Sequence, residues 1–168
     1  MRRKGAQRMV WIAFYRGHGR FLSDTVVRWV TNSEFSHCEL LRSDTAPAAG
    51  QTHLCGSASV RDGGVRTKEI TFREDRWEFV PVRWAPDTAW DVIRDNIGRP
   101  YDFLGLAMTH ILNMRVHSRK RWFCSEICGH AIGLRAAHAY APGDLYRVVG
   151  EMNGAYRKGG GDMAEEIP

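Results

Sequence analysis

A cysteine becomes a nucleophile near neutral pH when its surroundings lower its pKa below the ~8.5 of a free thiol and a base stands beside it. Of the four cysteines in the 168-residue chain, Cys38, Cys55, Cys124 and Cys128, Cys124 meets the first condition best. It follows Trp122-Phe123 and opens Ser125-Glu126-Ile127-Cys128, a segment that reads as helix. A sulfur at a helix N-terminus faces backbone N–H groups without helical partners, which lower its pKa and can serve as an oxyanion hole. The base is His37, in Phe35-Ser36-His37-Cys38-Glu39-Leu40. Alternation along a strand puts His37 and Glu39 on one face, with Cys38 and Leu40 on the other. A thiol, an imidazole and a carboxylate to hold the ring are the parts of covalent acyl chemistry. Cys128, one turn deeper, and Cys55, within a strand, read as buried apolar residues. The remaining histidines lack comparable context and read as surface or core-satisfied residues.

The elements that must position this pair follow from periodicity. Met9 to Tyr15 is a nearly continuous apolar and aromatic run, the mark of a buried strand. Phe21, Leu22, Thr25, Val26 and Trp29 recur at helical spacing over 21–30. Ser36 to Leu41, Thr52 to Ser59, Val65 to Phe72 and Trp77 to Trp84 read as strands in a meander, Pro81 placing the last at an edge or bulge. From Pro86 onward the period becomes helical. Asp87 is expected to cap a helix carrying Trp90, Ile93 and Ile97, which Gly98 and Pro100 stop. Further helices are expected over 101–114, over 124–134 and from Pro142 to about Met152.

Four segments carry a family resemblance: Ile12-Ala13-Phe14-Tyr15-Arg16-Gly17, Phe35-Ser36-His37, Gly98-Arg99-Pro100-Tyr101-Asp102-Phe103 and Phe123-Cys124-Ser125-Glu126. In this order the chain resembles the circularly permuted, YiiX-like branch of the NlpC-type papain-like cysteine hydrolases, with lecithin–retinol acyltransferases as more distant relatives. It is also similar to small phage-encoded proteins of this branch, through Ser-His-Cys-Glu-Leu and Asp-Gly-Gly-Val-Arg. The resemblance implies an α+β, papain-like (permuted NlpC-type) fold, an antiparallel sheet or small barrel-like meander packed against helices. It implies Cys124 as nucleophile, His37 as base, and Tyr101 near the cleft, lining it or assisting the oxyanion. In many permuted relatives the third catalytic group comes from the strand after the histidine. Here that strand reads His53-Leu54-Cys55-Gly56-Ser57-Ala58-Ser59 and offers no carboxylate. Glu39, Ser57 and His53 are therefore the candidates, and Glu39 is preferred because alternation puts it on the His37 face.

The implied activity is that of a cysteine amidase or endopeptidase working through an acyl-enzyme, with a peptide, amide or acyl substrate and a cell-envelope polymer such as peptidoglycan among the candidates. The same fold also serves acyltransferases and lipid or thioester hydrolases. A non-enzymatic phage structural or host-interaction module is the alternative from another class.

Bulk properties are consistent with one catalytic domain over 9–153, between a basic tail over 1–8 and a flexible Gly-rich acidic tail over 154–168. A chain of this size buries roughly 70% of the surface its unfolded form exposes, so it needs no staples. No apolar run reaches the ~18 residues of a membrane span, and no signal-type stretch follows the basic start, so a cytoplasmic location is expected, that of a bacterial host for a phage protein. Free thiols follow from that compartment. The net charge of +5, from 24 Lys+Arg against 19 Asp+Glu, is scattered, and no nucleic-acid motif accompanies it. No second close pair of Cys or His has metal-ligand spacing, so neither metal nor cofactor is expected.

Overall fold

The computed structural model describes residues 9–17, 33–73, 76–101 and 122–158. The expected helix over 21–30, all but the first residue of that over 101–114, the basic tail over 1–8 and the last residues, 159–168, lie outside them. Five strands, β1 (Met9–Tyr15), β2 (His37–Ser43), β3 (Thr52–Ser59), β4 (Gly64–Thr71) and β5 (Trp77–Val82), form one antiparallel sheet in the order β4-β3-β2-β1-β5. The chain is α+β: three helices, α1 (Ala89–Asp95), α2 (Cys124–Ala131) and α3 (Pro142–Lys158), accompany it among the described residues.

The meander stops at β4. β5 crosses back to pair with β1, with Val80 opposite Ile12 and Phe79 opposite Ala13. The apolar content of β1 explains this: as a buried interior strand it needs partners on both sides. Pro81, which has no N–H to donate, sits on the resulting edge strand, as its chemistry requires.

Alternation divides the side chains between two apolar layers. On one face Val10, Ile12, Phe14, Cys38, Leu40, Ala58, Val65 and Val82 join Ile93 of α1, Ile127, Cys128 and Ala131 of α2 and Leu145, Val149 and Met152 of α3. On the other, Ala13, Leu41 and Cys55 pack with Phe72 at the end of β4. Phe72 lies 5.1 Å from Trp77 and 4.8 Å from Phe79, ring centre to ring centre. Those residues belong to β5, at the far end of the strand order, so the sheet curls until its two edges meet through side chains around the second face.

α1 packs tightly on β3, where a Cβ on Gly56 would stand 2.5 Å from Ile93 Cγ2. The expected Asp87 cap is not made. Thr88 is the N-cap and forms no side-chain capping bond, while the Asp87 carbonyl accepts a hydrogen bond from Arg42. Ile97 falls beyond the helix and is 51% exposed, so it does not extend the buried stripe of Ile93. α2 ends at Ala131 rather than Leu134, in a Schellman turn: Leu134 N–H donates to Gly129 O, Gly133 N–H to His130 O, and Gly133 supplies φ +90°. α3 runs to Lys158, so residues 154–158 of the expected tail are helical. Its start has Pro142 in the first turn and Asp144 accepting from the Ala141 N–H at 3.2 Å.

Candidate active site

β2 pairs with β3 only at Leu40 opposite Gly56 and Leu41 opposite Cys55. Toward the start of β2 the two strands part, and α2 fills the opening. Cys128 Sγ lies 4.0 Å from both the Cys38 carbonyl oxygen and Ser57 Oγ, on either side of the gap. Cys124, one turn earlier and the first residue of α2, is thereby brought to the first residues of β2. The Phe123 N–H donates to Glu126 Oε2 at 3.5 Å, fixing the entry into the helix.

The residues of β2 that pack against α2 are Cys38 and Leu40, whereas His37 and Glu39 face the curled side. A strand presenting its His37 face to the helix is therefore not what forms. Cys124 approaches from the helix side and reaches both faces at once because it meets the end of the strand. Its sulfur interacts electrostatically with the His37 ring, the Cys38 thiol and the Cys38 backbone N–H.

His37 Nε2 lies 2.7 Å from Glu39 Oε1. With that nitrogen engaged, Nδ1 is the one left for the sulfur. Glu39 is fully buried and is itself gripped by Arg66 of β4, whose Nη1 donates to Oε2 at 2.8 Å and Nη2 to Oε1 at 2.5 Å. Arg66 Nε donates in turn to Asp62 Oδ2 at 2.8 Å, and Lys68 Nζ to Asp62 Oδ1 at 3.2 Å. A chain of alternating groups thus runs from sulfur to surface: Cys124, His37, Glu39, Arg66, Asp62.

The ionisation states follow from this arrangement. Burial by itself would drive His37 toward the neutral form, but Glu39 and Cys124 outweigh it and push the ring up to about 10. Burial would also raise Glu39, yet His37 and Arg66 bring it below its ordinary range. The Cys38 thiol lowers Cys124 most, burial opposes, and His37 adds to the lowering, so Cys124 ionises well below an ordinary thiol. Burial raises both Cys38 and Cys55. All four cysteines are buried, with Cys124 1% exposed. Exposure does not single out Cys124; ionisation does. Both shifts favour a thiolate beside an imidazolium.

A cavity of about 430 Å³ opens on the His37 side, bounded among others by Ser36, Glu39, Arg66 and Tyr101. Tyr101 bridges to Trp122 and packs against Phe123, which ties the cavity wall to the start of α2. The other candidates for the third residue fall elsewhere. Ser57 is buried, with Oγ 3.5 Å from the Ala58 carbonyl and near Cys128. His53 pairs with Ile70, contacts Gln51 at 3.1 Å and stacks on Phe72, away from His37.

Comparison with protein-family models finds none that matches the chain, and comparison with curated proteins finds no match either. The site is therefore read from its own geometry. Arg66 is the member that the sequence concealed. The register of the β3–β4 hairpin puts it opposite Ser57, and alternation puts it on the Glu39 side of the sheet, but Glu39 lies two strands away in that order. Among the described residues no group of three His, Cys, Asp or Glu side chains is arranged to hold a metal ion, and no helix is long and apolar enough to cross a membrane.

Proposed function

We propose that this protein is a papain-like cysteine hydrolase that cleaves an amide or related acyl bond. The observation that carries the reading is one sulfur at the first turn of a helix, in electrostatic interaction with an imidazole that is itself held 2.7 Å from a buried carboxylate. In the proposed reaction the Cys124 thiolate attacks the carbonyl carbon. First-turn N–H groups of α2 receive the oxyanion, and the His37 imidazolium delivers its proton to the leaving group. Neutral His37 then takes a proton from water, which attacks the thioester, releases the acid and returns the thiolate. Glu39 keeps the ring oriented and compensates its charge. With Cys124 1% exposed, a substrate must displace whatever covers the sulfur to reach it. The permuted NlpC-type relationship belongs to the same proposal, and peptides of the bacterial cell envelope are the first substrates to try.

The test is a thiol-directed acyl probe followed by peptide mapping. The adduct is expected on Cys124, absent in Cys124→Ala and strongly reduced in His37→Ala. Labelling that spreads evenly over the four cysteines, or that ignores His37, removes the enzyme reading. A panel of peptide amides, peptidoglycan fragments and thioesters then separates the substrate classes.

A further inference from the structure

Three of the four sulfurs share one region of the core. Cys38, Cys124 and Cys128 belong to the same buried cluster between β2 and α2. Cys38 is the member common to both other sulfurs: its thiol interacts with Cys124 and with Cys128. The packing of α2 into the strand gap brings them together: Cys128 Sγ stands 4.0 Å from the Cys38 carbonyl oxygen, and Cys124 lies one turn away on the same helix face. Acyl transfer through Cys124 gives no task to a second thiol in contact with the nucleophile.

We propose that Cys38 is the resolving thiol of Cys124, so that mild peroxide converts the pair into a Cys38–Cys124 disulfide. In the first step the Cys124 thiolate attacks one oxygen of hydrogen peroxide, and the O–O bond breaks. The sulfur is oxidised to sulfenic acid, and the departing hydroxide takes the His37 proton to become water. In the second step the Cys38 sulfur attacks the sulfenic sulfur and the S–O bond breaks. The Cys38 proton leaves with the hydroxyl as a second water. One peroxide is reduced, two thiols are oxidised, and His37 is left neutral.

Geometry selects Cys38 over Cys128. Residues four apart on a helix have Cβ atoms about 5–6 Å apart, whereas a disulfide needs about 3.5–4.5 Å. A Cys124–Cys128 bridge would therefore have to bend the first turn of α2. Cys38 comes from the facing strand, shares the buried cluster with Cys124 and interacts with its sulfur. Chemistry assigns the two roles in the same order: Cys124 carries the thiolate that peroxide meets first, and Cys38, held protonated by burial, waits for the sulfenic acid. The resulting state protects Cys124 from further oxidation and is undone by a dithiol.

The experiment uses the whole native chain. It is exposed to equimolar hydrogen peroxide, its remaining thiols are blocked under denaturing conditions, and its peptides are mapped without reduction. The expected product joins the Cys38 and Cys124 peptides within one molecule and disappears after dithiothreitol. In Cys38→Ala, a second equivalent of peroxide is expected to carry Cys124 on from the sulfenic to the sulfinic acid, which dithiothreitol does not reverse, whereas the unaltered chain given the same two equivalents stops at the disulfide. Sulfinic acid on Cys124 of the unaltered chain, a bridge to Cys128, a bridge between molecules, or an unreacted Cys124 each overturns the proposal. The readout is a mass, independent of any substrate. Loss of the hydrolase reading would leave it standing, and its own failure would leave acyl labelling of Cys124 intact.

Discussion

Glu39 and His37 stand two residues apart on one strand with Oε1 and Nε2 separated by 2.7 Å, so the carboxylate and the ring it holds are positioned by a single backbone segment. No folding of a distant loop is needed to bring them together. What the rest of the fold supplies is the sulfur on one side and Arg66 on the other.

The first prediction concerns the thiolate. Since Cys124 ionises well below an ordinary thiol and His37 is held up to about 10, native protein should retain thiolate absorbance near 240 nm at pH 6. Each pK unit of upward shift in Cys124 lowers its thiolate fraction about tenfold once the pKa exceeds the pH. His37→Ala is expected to lower iodoacetamide labelling of Cys124 at pH 6 by at least that factor. Labelling of Cys124 that titrates like free cysteine would contradict the charge state.

Glu39→Gln retains the size of the side chain and removes its charge. Turnover is expected to fall by about 10²- to 10⁴-fold, the contribution typical of an effective general acid–base group. Cys124 should still react with a strong electrophile, with the His37 titration shifted downward in a ring-proton NMR experiment. Ser57→Ala and His53→Ala should leave both readouts near those of the unaltered protein. If Ser57→Ala or His53→Ala is the costly change, the carboxylate is not the orienting group.

Arg66 allows a separate test, because a flexible ammonium cannot reproduce a bidentate guanidinium. Arg66→Lys preserves the charge but loses one of the two contacts with Glu39. It should cost about 1.5–3 kcal/mol in urea unfolding, the usual worth of a hydrogen bond to a charged group. It should also lower kcat more than it raises KM. Arg66→Ala should be worse on both counts, while Lys68→Ala, which touches only Asp62, should be mild.

Acid should unfold the protein through the same buried carboxylate. Glu39 is depressed below its ordinary 4.5 in the folded chain, so its contribution to stability is complete above that value. It is lost as pH falls through the folded value. Asp62, lowered to about 2 chiefly by Arg66, adds a smaller loss at still lower pH because it is partly exposed. Urea midpoints should therefore decline below about pH 4.5 in the unaltered protein and decline less steeply in Glu39→Gln. Parallel pH profiles for the two would contradict the assignment.

Much of this was legible in the sequence because it depends on local periods. The strand over 52–59 falls where the sequence reading put it, after the Pro- and Gly-containing loop, and the helix beginning at Cys124 starts where the residue pattern changes. The pairing of His37 with Glu39 needed only period 2. What was not legible depends on distance through space. The return of β5 to β1, the parting of β2 from β3 and the approach of Arg66 to Glu39 are tertiary facts that no window of ten residues contains. Asp87 is a different kind of miss. A residue of good capping type lost its role because the helix began one residue later, where α1 packs on β3 and burial outweighs a cap.

The division of the site along the chain also sets the order in which a growing polypeptide acquires it. His37, Glu39 and Arg66 all lie on a sheet that ends at Val82, whereas the sulfur arrives with the helix at Cys124, some forty residues later. As synthesis proceeds from the N-terminus, a sheet folded as a unit would hold the imidazole, the carboxylate and the guanidinium in place before the Cys124 sulfur is available to them. The reactive pair is then created by docking one short helix into an opening already made for it. On the proposed function, a nascent chain would be silent until that step and competent only once the core closes.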